Sequence, residues 1–254
     1  MTSLSYATER YLEKLQPTSF DDLVGQTKLT AALERLTRMA RRGEQPFPPL
    51  LLLGDRGVGK GAIALATGYE LAGQDRHAVH RIDADALSAI HSVEEVVADL
   101  DDRDILIVES VEQLEPSVRE YLVRAASQRT LNVTADDPSQ PTPMADVEPF
   151  TLLATATPDI SGVGTSGWNP LRVRDYNTEE LIAMAHWCAD RLKIQMSDSA
   201  AFLLARHSYG YARLLRELVV RILLRNVESM SEQGQWCIED WMVDEIFDAD
   251  ESSP

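Results

Sequence analysis

The spacing of hydrophobic residues changes along the chain and predicts strands first and helices afterwards. Leu50–Leu53 is a continuous apolar run that ends at a glycine, which is typical of a buried parallel strand. Further strand candidates lie at 79–82, 105–108 and 150–154, and helical patterns lie between them at about 61–72, 93–100 and 116–128. Strands that alternate with helices predict an α/β fold with a parallel sheet and right-handed crossovers.

The segments around this alternating region follow the helical period. A short amphipathic helix is predicted within 1–16 and another at about 28–42, and 134–149 is rich in proline, aspartate and serine, as in a loop or loose hairpin. From Thr178 the pattern is purely helical, with helices at about 178–192, 198–207, 211–229 and 238–247. Asn177 and Glu180 form a capping-box pattern at the first of these. We therefore expect an α/β domain over 1–176 and a helical domain over 177–254 that ends in an acidic tail.

Composition narrows the class of protein. The chain has 254 residues, a net charge of −17 and a pI near 4.6, so direct tracking of a DNA duplex by this chain alone is not expected, and DNA contact would be indirect. The two cysteines, Cys188 and Cys237, stand among apolar residues and are interpreted as reduced core thiols. Neither a membrane-length apolar run nor a signal-peptide pattern is present, which favours a cytoplasmic protein without a membrane contact.

A glycine-rich segment follows the first strand and carries the clearest chemistry. The segment Gly54-Asp55-Arg56-Gly57-Val58-Gly59-Lys60-Gly61 has the spacing of a phosphate loop between a strand and a helix. Backbone amides of Gly54, Gly57, Val58, Gly59, Gly61 and Ala62, with the amine of Lys60, would hold ATP or ADP. An ordinary glycine-rich turn would lack the lysine at this spacing. Gly61 replaces the serine or threonine that binds Mg²⁺, so no metal site is predicted.

Several segments in order resemble RuvB, the family of bacterial Holliday-junction branch-migration ATPases. They are residues 16–26 with Phe20-Asp21-Asp22-Leu23-Val24-Gly25-Gln26, residues 104–122 with Asp104-Ile105-Leu106-Ile107-Val108-Glu109-Ser110, residues 150–154, and residues 203–213, which end at Arg213. The resemblance covers about 15–247 and implies a P-loop AAA+ five-stranded parallel sheet with flanking helices, followed by an all-helical lid. No counterpart of the family's DNA-contacting winged helix is expected.

The resemblance also implies roles for individual residues. Val24 and Gly25 would contribute to the adenine pocket, and Arg213 would be the lid arginine called sensor 2, with a solvated arginine at the start of a helix as the alternative. Thr155 would be the polar residue called sensor 1 at the end of its strand. Thr157 is available for the same role, and either threonine could be an ordinary strand residue.

The departures from the family fall on residues of hydrolysis. Glu109 replaces the aspartate that orders Mg²⁺, and Ser110 replaces the glutamate that activates water, a role serine cannot fill near neutral pH without an activating partner. Glu112 and Glu115, a little further along, are interpreted as solvated helix charges.

The arginine finger permits two alignments. In one, Arg172 is the finger and the following strand is deleted. In the other, 171–176 is that strand and the finger is lost. The second is favoured because deleting a sheet strand costs much burial, and it makes Arg172 and Arg174 strand residues.

These features predict a catalytically degenerate AAA+ module that is not itself an enzyme. It would bind nucleotide or stay empty, and act as an assembly or regulatory subunit with another protein, such as an active AAA+ subunit or further copies of itself. One alternative is an active ATPase of DNA recombination, repair or clamp-loader type that completes its site with a partner's residues. The other is a purely structural interaction protein. The sequence leaves the partner, the process and the oligomeric state open.

Overall fold

The computed structural model describes residues 3–132, 144–158, 166–226 and 236–251. Within these residues the helices are α1 Ser3–Lys14, α2 Thr27–Arg41, α3 Lys60–Ala72, α4 Ile90–Ala98, α5 Pro116–Gln128, α6 Thr178–Leu192, α7 Asp198–His207, α8 Ala212–Arg225 and α9 Asp240–Glu251. The strands are β1 Leu50–Leu53, β2 Val79–Asp83, β3 Ile105–Glu109, β4 Thr130–Asn132, β5 Met144–Asp146, β6 Thr151–Ala156, β7 Asn169–Arg172, β8 Gln195–Met196 and β9 Cys237–Ile238.

Five of the strands form one parallel sheet in the order β2-β3-β6-β1-β7. Strand β1 lies between β6 and β7, with Leu50 opposite Leu153 on one side and Asn169 on the other. The predicted five-stranded parallel α/β sheet is therefore confirmed. Because β1 has strands on both sides and helices above and below, every position in it can be apolar.

The sheet separates two buried clusters. Leu50 and Leu52 face a cluster that includes residues of α2 and α3, whereas Leu51 faces a cluster with residues of α4 and α5. Alternate residues of a strand point to opposite faces, so the uniform leucine run supplies both layers. All three side chains are fully buried. Their packing fixes the position of β1, and therefore the point at which the phosphate loop begins.

The fifth strand lies earlier than predicted. It is Asn169–Arg172, not 171–176, and the last ladder hydrogen bond runs from Val173 N to Leu53 O at 2.7 Å. The prediction that Arg172 is a strand residue is confirmed, whereas that for Arg174 is wrong. Pro170 is tolerated because β7 is an edge strand, where a missing N–H costs little. Arg174 instead pairs with Glu180 of α6.

Helices α6–α9 form a separate helical layer, which we call the lid. Their buried residues include Leu181, Leu204, Leu215 and Ile246. The predicted capping box is present, with Asn177 Oδ1 accepting from Glu180 N at 2.8 Å. The short parallel pair β8–β9 was not predicted, since two-residue strands leave no periodic pattern.

The first helix belongs by its contacts to the lid. Helix α1 packs against α6 and α8, and the fully buried Leu15 joins the lid cluster. From the sequence, we assigned this helix to the α/β domain because the helix precedes the strands of the sheet in the chain. The division of the chain at 176/177 stays a prediction.

The remaining predictions concern the region near 134–149 and the cysteines. Strands β4 and β5 pair antiparallel, as a loose hairpin would, while residues 133–143 lie outside the described part of the chain. Cys188 and Cys237 are free thiols, and burial raises the pKa of Cys188 to about 12. No helix in the described ranges is long and apolar enough to cross a membrane.

Candidate nucleotide-binding site

The phosphate loop joins the end of β1 to the start of α3. Gly57 and Gly59 have φ angles of 88° and 96°, a region that side chains other than glycine rarely adopt. A Cβ atom on Gly54 would lie 2.6 Å from the carbonyl oxygen of Val173. These contacts explain the glycine spacing: the backbone must turn tightly beside β7 before α3 begins at Lys60.

Lys60 closes the loop on itself. Its Nζ donates hydrogen bonds to the carbonyl oxygens of Gly54 at 2.8 Å and Asp55 at 2.9 Å. Burial lowers the pKa of Lys60, and the carboxylates of Glu112, Asp55 and Glu109 oppose that shift. The ammonium thus lies at the centre of the loop, where it can exchange its carbonyl partners for phosphate oxygens.

An open cavity of about 480 Å³ lies in front of the loop, and we call it the loop cavity. It brings together nine of the residues singled out from the sequence: Gly57, Gly59, Lys60, Gly61, Ala62, Glu109, Ser110, Thr155 and Arg213. Gly54 and the fully buried Val58 stand behind it and shape the loop. Arg172 does not line it.

The residues that line the loop cavity have a net positive charge, opposite in sign to the net charge of the whole chain. Five cationic residues line it, namely Arg56, Lys60, Arg81, Arg213 and Arg216, against the two carboxylates Glu109 and Glu217. The chain as a whole carries −17. A local cationic cavity in an acidic protein attracts a small polyanion, because the distribution of charge sets the local field.

The end of β3 carries the residues at which the sequence departs from its family. Glu109 Oε1 accepts from Arg81 Nε at 2.7 Å, and the same carboxylate lies over Gly61. Ser110 has φ 60° and ψ 43°, and its N–H donates to Thr155 Oγ1 at 3.1 Å. Thr155 is buried and lines the loop cavity, whereas Thr157 is half-buried and does not, so the geometry favours Thr155 for the sensor 1 position.

Glu112 differs from its interpretation as a solvated helix charge. It lies in a 3₁₀ turn after Ser110, and its Oε2 atom is buried and has no hydrogen-bond partner among the described residues. Burial lowers the pKa of Lys60 and that of Arg119, and the negative charge of Glu112 opposes both shifts. The sequence gives no sign of this, because Lys60 lies far from Glu112 in the chain and only the fold brings the two charges near each other.

An apolar pocket adjoins the loop cavity on the side of the lid. Its lining includes Pro17, Leu23, Val24, Met184 and Trp187, so Val24 lies beside the loop, and its role in an adenine pocket stays a prediction. Its free volume is about 30 Å³, enough for one or two waters. A purine base does not fit in this volume with the lid and the segment at Pro17 in the positions that the structure shows.

Gly25 shapes this pocket without lining it. Its φ is 73°, and a Cβ atom there would lie 2.7 Å from Glu180 Oε1 and 3.1 Å from the ring of Tyr176. The next residue, Gln26, is buried and donates from Nε2 to the carbonyl oxygen of Arg174. These contacts fasten the segment beneath the pocket to the junction between β7 and α6.

The lid reaches the phosphate loop through the start of α8. The backbone N–H of Arg213 donates to Gly57 O at 2.9 Å, while its exposed side chain pairs with Glu217 at 2.8 Å. Arg216 lines both the loop cavity and the apolar pocket and was missed from the sequence. Its spacing of three residues from Arg213 places both on one helix face and could have revealed it.

The loop, the cationic cavity and the helical lid define a P-loop nucleotide-binding module of the AAA+ type. The chain belongs to the family described as the Holliday junction DNA helicase RuvB P-loop domain, which matches residues 15–176. That match ends where the lid helices begin.

Individual relatives agree with the family. The chain is 30% identical over 225 residues to the Holliday junction branch migration complex subunit RuvB of Chlorobaculum parvum. This alignment covers 85% of the chain but only 63% of the relative, so the chain spans less than two thirds of that protein.

Solved structures show the same fold. The RuvB Holliday junction branch migration motor of Thermotoga maritima matches with a TM-score of 0.72 and 21% identity, covering 93% of this chain and 73% of the other. A single-residue mutant of the same protein matches with a TM-score of 0.75 and 22% identity, covering 92% and 73%.

Proposed function

We propose that this chain is a RuvB-like AAA+ module that binds adenine nucleotide, does not hydrolyse it at a rate useful to a motor, and serves as an assembly or regulatory subunit. One observation supports this most directly. Within one cavity, the loop around Lys60 keeps the geometry of phosphate binding, while the carboxylate of Glu109 is tied to Arg81 and Ser110 offers no carboxylate at all.

Binding depends on the loop side of the cavity. Glycines with positive φ orient the backbone amides, the start of α3 contributes its dipole, and Lys60 supplies a charge. Arg213 and Arg216 add positive charge from the lid. A nucleotide held here would contact both the sheet and the lid, so its binding would couple the two.

Hydrolysis depends on side chains that this cavity lacks or uses otherwise. An attacking water needs a base, and a serine hydroxyl is a poor one without an activating partner. An arginine finger contributes about 10³- to 10⁵-fold in rate, and the alignment that makes Arg172 a residue of strand β7 leaves no arginine assigned as a finger. Loss of several such groups together reduces turnover far below that of a motor.

A subunit role is consistent with the charge and surface of the chain. A net charge of −17 disfavours solitary duplex binding, so contact with DNA would run through a partner such as an active AAA+ subunit or further copies of this chain. Helix α9 carries the exposed Trp241 next to Asp240, with Asp244 and Glu245 one turn on, and is a candidate contact for a basic partner. Trp236 is buried in the lid and is not part of this surface.

The test measures binding and turnover in the same preparations. ATP binding by calorimetry and phosphate release with and without DNA would be compared between wild type and Lys60→Ala, with the exposed Lys28→Ala as the control for loss of a charge. We expect binding in wild type and Lys28→Ala, a loss of about 100-fold in Lys60→Ala, and no significant turnover. ATP hydrolysis that depends on Lys60 and has a turnover of about 1 s⁻¹ or above would contradict the proposal.

A further inference from the structure

Strand β2 brings an arginine into the loop cavity that has no counterpart in the motif analysis. Arg81 Nε donates to Glu109 Oε1 at 2.7 Å, and both side chains line the cavity. The side chain of Arg81 is 47% exposed and that of Glu109 is 20% exposed. The guanidinium therefore lies at the open side of the pair, facing the space in front of the loop.

The same pair occupies the space of the usual metal ligand. In a P-loop the residue after the lysine extends a hydroxyl group from the first turn of the helix to Mg²⁺. A Cβ atom on Gly61 would lie 2.5 Å from Glu109 Oε1 and 3.2 Å from its Cδ. The carboxylate of Glu109 thus fills the position from which that hydroxyl group would extend.

The remaining donors do not suit Mg²⁺. This ion requires near-octahedral oxygen coordination, yet the hydroxyl ligand is absent and one oxygen of Glu109 is committed to Arg81. In the part of the chain that the structure describes, no cluster of three His, Cys, Asp or Glu side chains could hold a metal ion. The residues at this position fit a cation supplied by the protein, not one supplied by the solvent.

We propose that Arg81 takes the place of the metal as the cation facing the terminal phosphates, so that this chain binds metal-free ATP or ADP. The inference rests on the proposed nucleotide site at Lys60. A guanidinium is always charged and has five N–H groups. The bond to Glu109 uses Nε, which leaves both terminal NH₂ groups to donate to phosphate oxygens.

The charge of the cavity favours the metal-free nucleotide. Five cationic residues and two carboxylates line it, and a nucleotide without Mg²⁺ carries more negative charge than its Mg²⁺ complex. With no ligand set to hold the ion, the complex gains less from this field. Affinity without metal should therefore equal or exceed affinity with it.

Calorimetric titration of ATP in EDTA and in excess Mg²⁺ tests this directly. For wild type, the Kd for ATP in EDTA should be no more than about threefold higher than the Kd in excess Mg²⁺. Arg81→Gln should weaken binding in EDTA by about tenfold or more, the effect of losing charge-assisted hydrogen bonds, and Arg81→Lys should be intermediate. Arg103→Gln removes one positive charge from a side chain that is 90% exposed and lies outside the cavity, so it should match wild type.

Glu109→Gln adds a test of opposite sign. If Glu109 anchors Arg81, its neutral variant removes a negative charge beside the phosphates and keeps or improves binding in both buffers. If Glu109 is a metal ligand, the variant weakens ATP binding about tenfold in excess Mg²⁺ but not in EDTA. That result would overturn the inference. Thermal unfolding of each variant verifies that affinities refer to folded protein.

The outcomes separate the inference from the proposed function. Lys60-dependent binding that tightens tenfold or more with Mg²⁺, or that is unchanged in Arg81→Gln and Arg81→Lys, overturns the role of Arg81 and leaves the nucleotide site standing. Absence of ATP binding in wild type, or binding that Lys60→Ala does not alter, overturns both.

Discussion

The two sides of the loop cavity differ in how their geometry is maintained. On the β1 side, the loop depends on backbone shape: positive φ at Gly57 and Gly59 and the carbonyl contacts of Lys60. On the β3 side, Glu109 lies over Gly61 and pairs with Arg81, and Ser110 is held by Thr155. The β3 residues depend on one another, so they should be understood as one packed group.

This difference separates binding from hydrolysis in physical terms. A loop of glycines and one lysine can hold phosphate whatever stands opposite, because most of its contacts come from the backbone. Hydrolysis requires particular side chains at particular positions. Substitutions at the end of β3 can therefore alter hydrolysis and leave binding, provided that the new side chains pack together.

Restoring the hydroxyl at residue 61 should disturb that packing most. Gly61→Thr places a Cβ atom within 2.5 Å of Glu109 Oε1, and we expect the free energy of unfolding to fall by about 1–3 kcal/mol. Glu109→Asp shortens the opposing side chain, so the double variant should recover most of the loss. Urea unfolding of the two single variants and the double variant measures the coupling.

If the effects of Gly61→Thr and Glu109→Asp on the free energy of unfolding add, residues 61 and 109 do not depend on each other for their packing. If Gly61→Thr is as stable as wild type, the carboxylate of Glu109 moves aside freely and the pair with Arg81 does not hold it. The β3 side would then be as independent of its neighbours as the phosphate loop.

Removing the hydroxyl of Thr155 should have the next largest effect. Thr155→Val keeps the shape but leaves the N–H of Ser110 without its acceptor, which should cost about 1–2 kcal/mol in the free energy of unfolding. Thr157→Val is the matched control on the same segment and should stay within about 0.5 kcal/mol of wild type. Equal losses in both variants would show that Thr155 is an ordinary strand residue.

The sequence predicted the elements that have a regular hydrophobic pattern and the motifs that have a fixed residue spacing. The leucine run of β1, the glycine loop and the helical period of α6–α8 each depend on local pattern, and the structure confirms the sheet they imply. Thr155 and Arg213 were located because their positions follow known segments in order, and both line the loop cavity.

Contacts between distant segments could not be predicted. Arg81 and Glu109 are 28 residues apart, and only the pairing of β2 with β3 brings them together. The buried oxygen of Glu112 likewise depends on how a turn packs. The edge strand begins at Asn169, two residues earlier than the favoured alignment placed it, and includes Pro170, which an edge position accepts.

The junction between β7 and α6 offers a pH-dependent test away from β3. The hydrogen bond from Arg174 lowers the pKa of Glu180 below its ordinary value. Because the folded pKa is the lower one, the stabilisation is present above the unfolded pKa of about 4.5 and is lost as pH falls through the folded pKa. We expect Glu180→Gln to cost about 1 kcal/mol in the free energy of unfolding at pH 7.

The comparison variant for this test is Glu179→Gln, an exposed carboxylate in the same first turn. The stability difference between wild type and Glu180→Gln should shrink below about pH 4.5, while that of Glu179→Gln stays small throughout. Chemical unfolding at several pH values measures both. A Glu180→Gln difference that persists unchanged at low pH would show that shape, not charge, holds Gly25 and Gln26 beneath the apolar pocket.

The smallest effect is expected at Arg213, where the lid meets the phosphate loop. Its backbone N–H bonds to Gly57 O and survives truncation, while its side chain is exposed and paired with Glu217. Arg213→Ala should therefore leave the free energy of unfolding unchanged and weaken ATP binding about three- to tenfold. Arg225→Ala removes a charge from the other end of α8, about 18 Å along the helix, where salt screens it. Calorimetry at about 0.1 M salt compares them. Equal weakening in both variants would mean that only the overall charge of the lid matters, and the lid would then not contact the nucleotide through Arg213.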